Sequence, residues 1–168
     1  DLLVESSHPA KIIDYFVSLP DIAKVYAKGP TKAMVMLKNN LHVDLRAIPK
    51  RSYGAALQYF TGSKDHNIVT RKIAIEKGLK LNEYGLFRGK KKIAGGTEEG
   101  IYKALGMDWM PPEIRENTGE IELSLKHKTP YLIGYHDVRG DLHCHTKWDG
   151  GNNSILEMAE EAMKLGYE

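Results

Sequence analysis

The sequence of 168 residues contains a single cysteine and no long apolar run. One cysteine excludes an internal disulfide, a state that fits the reducing cytoplasm. No segment approaches the ~20 consecutive apolar residues of a membrane span, so we expect no membrane partner. The first residues show no basic-then-apolar leader, and nothing in them predicts secretion. With 42% hydrophobic and 27% charged residues, the composition is that of a globular protein.

The net charge is only +2, but it is unevenly distributed along the chain. Residues 51–105 hold 11 Lys and Arg against 5 Asp and Glu, so the remaining residues carry a net charge of −4. A basic middle segment between mildly acidic flanks favours a polyanionic partner for that segment. On composition alone, a lysine-rich surface in contact with solvent is the simpler interpretation.

The first fifty residues predict an α+β unit. Apolar residues recur at helical spacing over residues 7–19. Three predicted strands joined by tight turns follow, over residues 22–27, 33–37 and 41–48. Consecutive strands with tight turns form an antiparallel meander, and we expect the helix to cover one of its faces.

The pattern changes after Pro49. Helices are predicted over residues 52–60 and 64–77, followed by a small hairpin within residues 79–94. A proline- and charge-rich stretch then indicates a connector. Residues 141–145 predict a strand, and a capping box at Ser154 starts a helix, which together are half of a βαβ repeat.

One strand carries a row of polar side chains. Side chains alternate across a strand, so His42, Asp44 and Arg46 share one face of residues 41–48 and apolar residues share the other. Carboxylate oxygens bind Mg²⁺, commonly together with substrate phosphates. An exposed face with an ordinary Asp–Arg pair is the alternative that spacing alone favours.

A second cluster lies between the two predicted helices. Tyr59 and Phe60 precede Gly62, which permits a backbone path that other residues resist. Exposed aromatic rings beside basic residues can stack on a base or a sugar. Asn67 and Arg71 are four apart on one helix face and offer planar hydrogen bonds that suit base edges. A helix–turn–helix with aromatic residues in its core is the alternative.

Three motifs carry a resemblance to a known family. They are residues 43–49 (Val-Asp-Leu-Arg-Ala-Ile-Pro), 59–63 (Tyr-Phe-Thr-Gly-Ser) and 82–84 (Asn-Glu-Tyr). Their order and spacing resemble, without a gap, the palm and thumb of family X DNA polymerases. The resemblance implies nucleotidyl transfer from a dNTP to a primer 3′-hydroxyl. It also implies Mg²⁺ or Mn²⁺ as cofactor, and gapped or primer–template DNA as partner in repair.

The same resemblance implies roles for individual residues. Asp1 and Asp44 are the expected catalytic carboxylates that bind the metal ions. Residues 1–4 resemble the end of the family's Gly-Asp-x-Asp strand, whose first Asp would precede this chain. The residues expected to contact the nucleotide or DNA are Arg46, Tyr59, Phe60, Gly62, Asn67, Arg71 and Tyr84.

A His-x-His motif lies near the end of the chain. His143 and His145 are two apart in the predicted strand, so their side chains would point the same way toward one metal cluster. The segment resembles the opening of a PHP (polymerase and histidinol phosphatase) domain. That resemblance implies His143, His145 and Asp149 as part of an incomplete Zn²⁺ or Mn²⁺ site, although Asp149 lies one position earlier than the family's Asp.

The combined expectation is an α+β fold in several parts. It comprises a nucleotidyltransferase-like palm of an antiparallel meander plus helix, and a helical thumb with a small hairpin. The first strand and helix of an α/β PHP barrel follow. The expected divisions are palm at 1–50, thumb at 51–118, connector at 119–137 and PHP start at 138–168.

We expect a fragment of a longer polymerase that is inactive by itself. An exposed palm edge would allow self-association between chains. Two other functions remain open from the sequence. One is a PHP-type phosphoesterase or 3′–5′ exonuclease, and the other is a non-catalytic DNA-binding module that uses only the basic thumb.

Overall fold

The computed structural model describes residues 1–167, which form two compact units. The first unit runs from Asp1 to Pro130, and the second begins at Tyr131. None of the helices in these residues is long and apolar enough to cross a lipid bilayer.

A four-stranded sheet and one helix form the N-terminal part of the first unit. The elements are β1 (Leu2–Glu5), α1 (Pro9–Val17), β2 (Ile22–Lys28), β3 (Lys32–Leu37) and β4 (His42–Ile48). The strand order is β1-β4-β3-β2. The pairs β2–β3 and β3–β4 are antiparallel, which confirms the predicted meander, whereas β1 pairs with β4 in parallel.

Helix α1 covers one face of this sheet. Ile13 and Phe16 on the helix are buried against Val35, Leu45 and Ala47 on β3 and β4. Burial of this apolar stripe drives the helix onto the sheet, since removal of apolar area from water is favourable. The polar row of β4 therefore lies on the opposite face, as its alternation predicts.

Four helices and a small sheet form the rest of the first unit, called the helical part here. Its elements are α2 (Lys50–Thr61), α3 (Lys64–Glu76), β5 (Lys80–Asn82), β6 (Gly85–Arg88), β7 (Lys91–Ala94), α4 (Glu98–Ala104), a 3₁₀ turn (Pro112–Ile114) and α5 (Glu120–Leu125). The three strands are antiparallel in the order β5-β6-β7. Leu86, Ile101, Leu105, Met110 and Ile121 are among the residues of its core.

A glycine allows α2 to contact the loop before α4. A Cβ atom at Gly54 would lie 2.2 Å from the carbonyl carbon of Thr97, a distance that no side chain tolerates. The backbone N–H of Gly54 donates to the Gly96 oxygen at 3.0 Å, and that of Ala55 donates to the Gly95 oxygen at 2.9 Å. The absence of a side chain is thus the condition for these two hydrogen bonds.

Helix α5 lies within the stretch that the sequence indicated as a connector. Its Glu120 and Ile121 are buried against the helical part. Six residues are too few to form a stable helix by propensity, so this helix depends on tertiary packing. The proline and charged residues that indicated a connector lie in the flanking turns, and the buried side chains of the helix gave no such signal.

The second unit contains a 3₁₀ turn (Tyr135–Asp137) and helix α6 (Ile155–Lys164). The predicted capping box is confirmed: Ser154 Oγ accepts the Glu157 N–H at 3.2 Å, and the Glu157 carboxylate accepts the Ser154 N–H at 2.6 Å. The predicted strand over 141–145 is wrong, since these residues form no strand. A strand needs a neighbour for its backbone groups, and here His143 N–H donates to Asp141 Oδ1 at 2.9 Å instead.

A fully buried arginine joins α4 to the segment before α5. Arg115 forms a bidentate pair with Glu98, with Nη1–Oε1 at 2.7 Å and Nη2–Oε2 at 2.9 Å, and its Nε donates to the Met110 oxygen at 2.9 Å. Its guanidinium carbon also lies 5.4 Å from the Tyr102 ring centroid and 5.7 Å from that of Trp109. A carboxylate, a carbonyl oxygen and two aromatic rings therefore contact the buried guanidinium.

A buried histidine links α3 to α4 and α5. His66 Nδ1 lies 2.8 Å from Glu120 Oε1, and His66 Nε2 lies 2.9 Å from the Tyr102 hydroxyl. Burial lowers the pKa of His66 below its ordinary value and raises the pKa of Tyr102 to about 12. The neutral imidazole therefore donates from Nδ1 to the carboxylate and accepts the tyrosine proton at Nε2.

The Glu98–Arg115 pair predicts a large stability effect. Glu98→Ala leaves a buried guanidinium without its anion, and we expect the free energy of unfolding to fall by about 3–5 kcal/mol. Urea denaturation monitored by circular dichroism measures it. Asp14→Ala is the control, because the exposed Lys28–Asp14 pair at 2.7 Å contributes no more than about 1 kcal/mol. Equal losses in the two variants would contradict the prediction.

The buried His66 predicts a pH-dependent stability. The folded-state pKa of His66 lies below its ordinary value of 6.5, so the unfolded chain binds more protons and the free energy of unfolding falls as pH drops through about 6.5. His66→Gln, which does not titrate, is expected to reduce this slope between about pH 7.5 and about pH 5.5. The same titration with His8→Gln, an exposed histidine, is expected to keep the wild-type slope.

Candidate functional site

The parallel pairing of β1 and β4 brings two carboxylates side by side. The register aligns Leu2 with Leu45 and Leu3 with Arg46. Asp1, which directly precedes β1, and Asp44 on β4 each lie one residue earlier, so the register extended by one residue sets them opposite each other. Aligned residues of parallel strands point to the same face, and the sheet thus places both predicted catalytic carboxylates together.

A cleft opens next to these carboxylates. Its volume is about 300 Å³, and its lining includes Asp1, Arg46 and Phe60. Lys32 Nζ lies 3.7 Å from Asp44 Oδ2 and brings a positive charge to the same region. Asp1 at the cleft, Asp44 at the aligned position of β4 and the nearby cations form a donor set that suits a divalent cation and the phosphates of a substrate.

Three further predicted residues meet at the junction of sheet and helices. The guanidinium carbon of Arg46 lies 4.5 Å from the centroid of the Phe60 ring, a cation–π contact. A small cavity of about 60 Å³ is lined by Arg46, Phe60 and Tyr84, together with Glu83. Ser52 Oγ donates to the Tyr84 carbonyl oxygen at 2.9 Å and ties this turn to the start of α2.

The turn between α2 and α3, residues 59–63, is called the corner. Tyr59 and Phe60 pack edge to face, with ring centroids 5.0 Å apart. Gly62 has φ +77°, a conformation that favours glycine. Ser63 caps α3 by accepting the His66 N–H at 3.3 Å. The predicted glycine turn thus lies where α2 ends and α3 begins.

Asn67 and Arg71 line one face of α3, but they bind within the protein. Asn67 is buried: its Nδ2 donates to the Tyr59 carbonyl oxygen at 2.8 Å, and its Oδ1 accepts from Gln58 Nε2. Arg71 Nε donates to the Asn67 carbonyl oxygen at 3.1 Å. In this conformation both residues support the corner, and their contacts with a base or template stay predictions.

A lysine of the hairpin reaches the start of α2. Lys92 Nζ donates to Ser52 Oγ at 2.7 Å and to the Arg51 carbonyl oxygen at 3.2 Å. Burial, together with the nearby Arg51 charge, lowers the pKa of Lys92. Because Ser52 in turn holds Tyr84, this lysine connects the hairpin to the cavity at Arg46.

In the second unit, the predicted histidine pair does come together. His143 Nε2 and His145 Nε2 lie 3.1 Å apart. Asp149 contacts the opposite ring nitrogen: its Oδ2 lies 2.9 Å from His145 Nδ1, and its Oδ1 accepts the Thr146 N–H at 2.8 Å. Within residues 1–167, no three His, Cys, Asp or Glu side chains are arranged to hold a metal ion.

Several buried polar residues carry no sequence motif and were not predicted as part of the site. Hydrogen bonds join Tyr102 to His66 and His66 to Glu120, and Gln58 donates to Asn67. A signal was present, since Gln58 lies three residues after the core residue Ala55, on the buried stripe of α2. Polar residues at core positions indicate buried hydrogen bonds, but periodicity does not identify their partners.

Comparison with known proteins identifies relatives of this chain and supports its fold. A family model described as the DNA polymerase beta thumb matches residues 56–116. The whole chain is 38% identical to the DNA polymerase/3′-5′ exonuclease PolX of Bacillus subtilis and covers 30% of that protein. Human DNA-directed DNA/RNA polymerase mu is 38% identical over 45% of this chain, which is 16% of its own length. The chain thus spans less than a third of these relatives.

Solved structures give the same result. Leishmania infantum polymerase beta in a ternary P/T complex matches with a TM-score of 0.55 and 31% identity, over 66% of this chain and 56% of that one. The ternary gap complex of the same protein matches with a TM-score of 0.57 and 28% identity, over 66% and 52% of the two chains. The sheet with its paired carboxylate strands, the corner and the helical part together follow the palm-and-thumb fold, and this chain belongs to the family X DNA polymerases.

Proposed function

We propose that the chain contributes the later palm and the thumb of a template-directed DNA polymerase that fills gaps in DNA repair. The observation that carries this proposal is the parallel pairing of β1 with β4, whose register aligns Asp1, which lines the cleft, with Asp44. In this assignment the palm is residues 1–50, the thumb 51–118, the connector 119–137 and the start of a PHP domain 138–168. Because the chain covers 30% of the Bacillus subtilis relative, polymerisation belongs to a longer polypeptide.

Asp1 and Asp44 are the residues that would hold Mg²⁺ or Mn²⁺. Their hard oxygen donors fit such ions, which bind one or two carboxylates together with substrate phosphates. When bound, two such ions supply Lewis-acid activation of the attacking hydroxyl and offset the charge on the leaving pyrophosphate. With two carboxylates and no third at this site in residues 1–167, the chain by itself is expected to incorporate no nucleotide.

The protein's own contribution is position and charge. Phosphoryl transfer requires the reacting groups in line, so catalysis rests on orientation and electrostatic stabilisation. Arg46 and Phe60 line the cleft, and the Tyr59 ring packs on Phe60, which places an aromatic surface for the sugar of a dNTP. Arg71 at the adjacent helix and Tyr84 across the cavity complete the contacts proposed for nucleotide and template.

The basic thumb would hold duplex DNA through its phosphates. The excess of positive charge in residues 51–105 coincides with α2, α3 and the hairpin. Lys90 and Lys91 lie exposed at the hairpin turn, where phosphate contact needs no rearrangement. Gapped DNA as the partner is supported by the matched complex of the Leishmania protein.

A second function is favoured by the histidine pair. Imidazole nitrogens 3.1 Å apart suit two ligands of one Zn²⁺ or Mn²⁺ ion, and Asp149 orients His145 through its other ring nitrogen. The Bacillus subtilis relative is named a 3′-5′ exonuclease as well as a polymerase. A PHP-type phosphoesterase activity, with further ligands from outside this chain, is therefore the alternative.

Self-association through the β1 edge stays a prediction.

The polymerase proposal is tested by Asp44→Asn in the longer polypeptide. We expect dNTP incorporation into one-nucleotide-gapped DNA with Mg²⁺ to fall by at least ~100-fold, because a missing anion weakens metal binding at the reacting phosphate. Asp14→Asn, an exposed change on α1, is the control. Wild-type incorporation that survives Asp44→Asn would overturn the role of Asp44. A wild type that only hydrolyses DNA 3′ ends would favour the phosphoesterase.

The thumb proposal is tested by salt dependence of DNA binding. Replacing both Lys90 and Lys91 by Gln removes two phosphate contacts. We expect the negative slope of log K against log salt to become shallower by about 2. Fluorescence anisotropy with a gapped duplex measures it. Lys11→Gln with Lys38→Gln removes the same charge from the palm and is expected to leave the slope nearer the wild-type value. Equal slopes in the two double variants would contradict phosphate contact by the hairpin.

A further inference from the structure

Asn67 joins the groups that shape the corner. Its side-chain Nδ2 donates to the Tyr59 carbonyl oxygen at 2.8 Å, and its backbone N–H donates to the Ser63 oxygen at 3.0 Å. Its own carbonyl oxygen accepts from Arg71 Nε at 3.1 Å. Asn67 thus binds the backbone on both sides of the glycine turn. It also binds Arg71, whose guanidinium faces the template in the proposed function.

The orientation of the Asn67 amide depends on Gln58. An amide carries donors at one end and an acceptor at the other, and the two ends have nearly the same shape. Gln58 is buried, and its Nε2 donates to Asn67 Oδ1, which leaves Nδ2 directed at Tyr59. Gln58 also lies near the Tyr102 hydroxyl, where it lowers the pKa of Tyr102 against the larger effect of burial.

The direction of these bonds is set deeper in the core. The Tyr102 hydroxyl has one proton, which it donates to His66 Nε2 at 2.9 Å, and its oxygen is therefore free to accept from Gln58. His66 Nδ1 donates to Glu120 at 2.8 Å, and this carboxylate also accepts two backbone N–H groups just before α5 at 2.8 Å each. These hydrogen bonds thus run in one direction across α4, α3 and α5, from the Tyr102 hydroxyl to the Glu120 carboxylate.

We propose that Gln58 and His66 are positioning residues for the nucleotide-binding corner: Gln58 acts through Asn67, and His66, by accepting the Tyr102 proton, leaves the Tyr102 oxygen to accept from Gln58. The link to a nucleotide rests on the proposed polymerase function. The positioning of Asn67 rests on the hydrogen bonds alone. Removing the donor at Gln58 frees the Asn67 amide to rotate, so its hold on Tyr59 weakens. Neither Gln58 nor His66 lines the cleft, and their effect on a dNTP is therefore indirect.

The first experiment measures the position of Asn67 in the chain itself. Gln58→Leu removes the amide donor and puts an apolar side chain of similar size in its place, and ¹⁵N NMR follows hydrogen exchange of the Asn67 side-chain amide. We expect exchange to become at least ~10-fold faster, since an amide free to rotate holds the bond from Nδ2 to the Tyr59 carbonyl oxygen less firmly. Gln58→Met, unbranched and of similar length, replaces Gln58→Leu if that variant does not fold.

A matched control separates position from stability. Ser124→Ala removes another buried hydrogen bond of the same core, from Ser124 Oγ to the Asp108 oxygen at 2.7 Å, without contact to the corner. Both variants are expected to lower the midpoint of thermal unfolding, but only Gln58→Leu is expected to change the Asn67 exchange. Unchanged exchange in Gln58→Leu, or the same change in Ser124→Ala, would overturn the proposal.

The second experiment measures nucleotide use in the longer polypeptide. Gln58→Leu is expected to raise the KM for dNTP in gap filling by about tenfold, with unchanged affinity for gapped DNA. His66→Gln, which can donate to Glu120 and accept from Tyr102, is expected to retain more of the wild-type KM than His66→Leu. An unchanged KM in an active enzyme would overturn the role at the corner. If the wild type incorporates no nucleotide, the proposed function fails. The exchange measurement then still tests whether Gln58 positions the Asn67 amide.

Discussion

The guanidinium of Arg115 lies in the centre of the thumb core, where an unpaired charge would be strongly destabilising. Its charge is tolerated because Glu98 on α4 forms two short hydrogen bonds and Met110 accepts a third. The Arg115 carbonyl oxygen accepts the Ser63 N–H at 2.9 Å, which fixes the end of the corner to the same residue. One hydrogen bond thus joins the core ion pair to the end of the corner.

In the same core, some hydrogen bonds both stabilise the fold and orient residues of the site. Hydrogen bonds join Glu120, His66 and Tyr102 across α5, α3 and α4, and Gln58 on α2 donates to Asn67. Buried polar groups that are fully paired give a core one arrangement, because any other leaves a donor or an acceptor unsatisfied. An apolar core of the same volume would pack the helices as well, but it would not orient an amide toward the Tyr59 backbone.

In the palm, the controlling feature is a single parallel strand pair in an otherwise antiparallel sheet. α1 returns the chain from β1 to the far side of the meander, so that β4 closes the sheet beside β1. This arrangement brings residues 1 and 44 to adjacent positions. Two carboxylates on neighbouring strands repel each other when no cation is present, and Lys32 near Asp44 offsets part of that repulsion.

The sequence by itself determined the features that depend on near neighbours along the chain. Alternation over residues 41–48 predicted which face of β4 carries Asp44 and Arg46, and the capping box at Ser154 predicted the start of α6. The family motifs indicated the palm and thumb, because their spacing within each element is local. A strand over 141–145 was predicted on the same local basis and is wrong, since a strand also needs a partner that residues 1–167 do not supply there.

Only the tertiary structure decided which distant groups meet. The Arg115–Glu98 pair, the hydrogen bonds of Asn67 and the contact of His66 with Glu120 join residues 8 to 54 positions apart. No periodicity encodes such pairs, because a buried polar side chain takes whichever partner the packed helices bring within about 3 Å. The sequence therefore determined the elements and the chemistry available, and the fold decided which polar groups support the site.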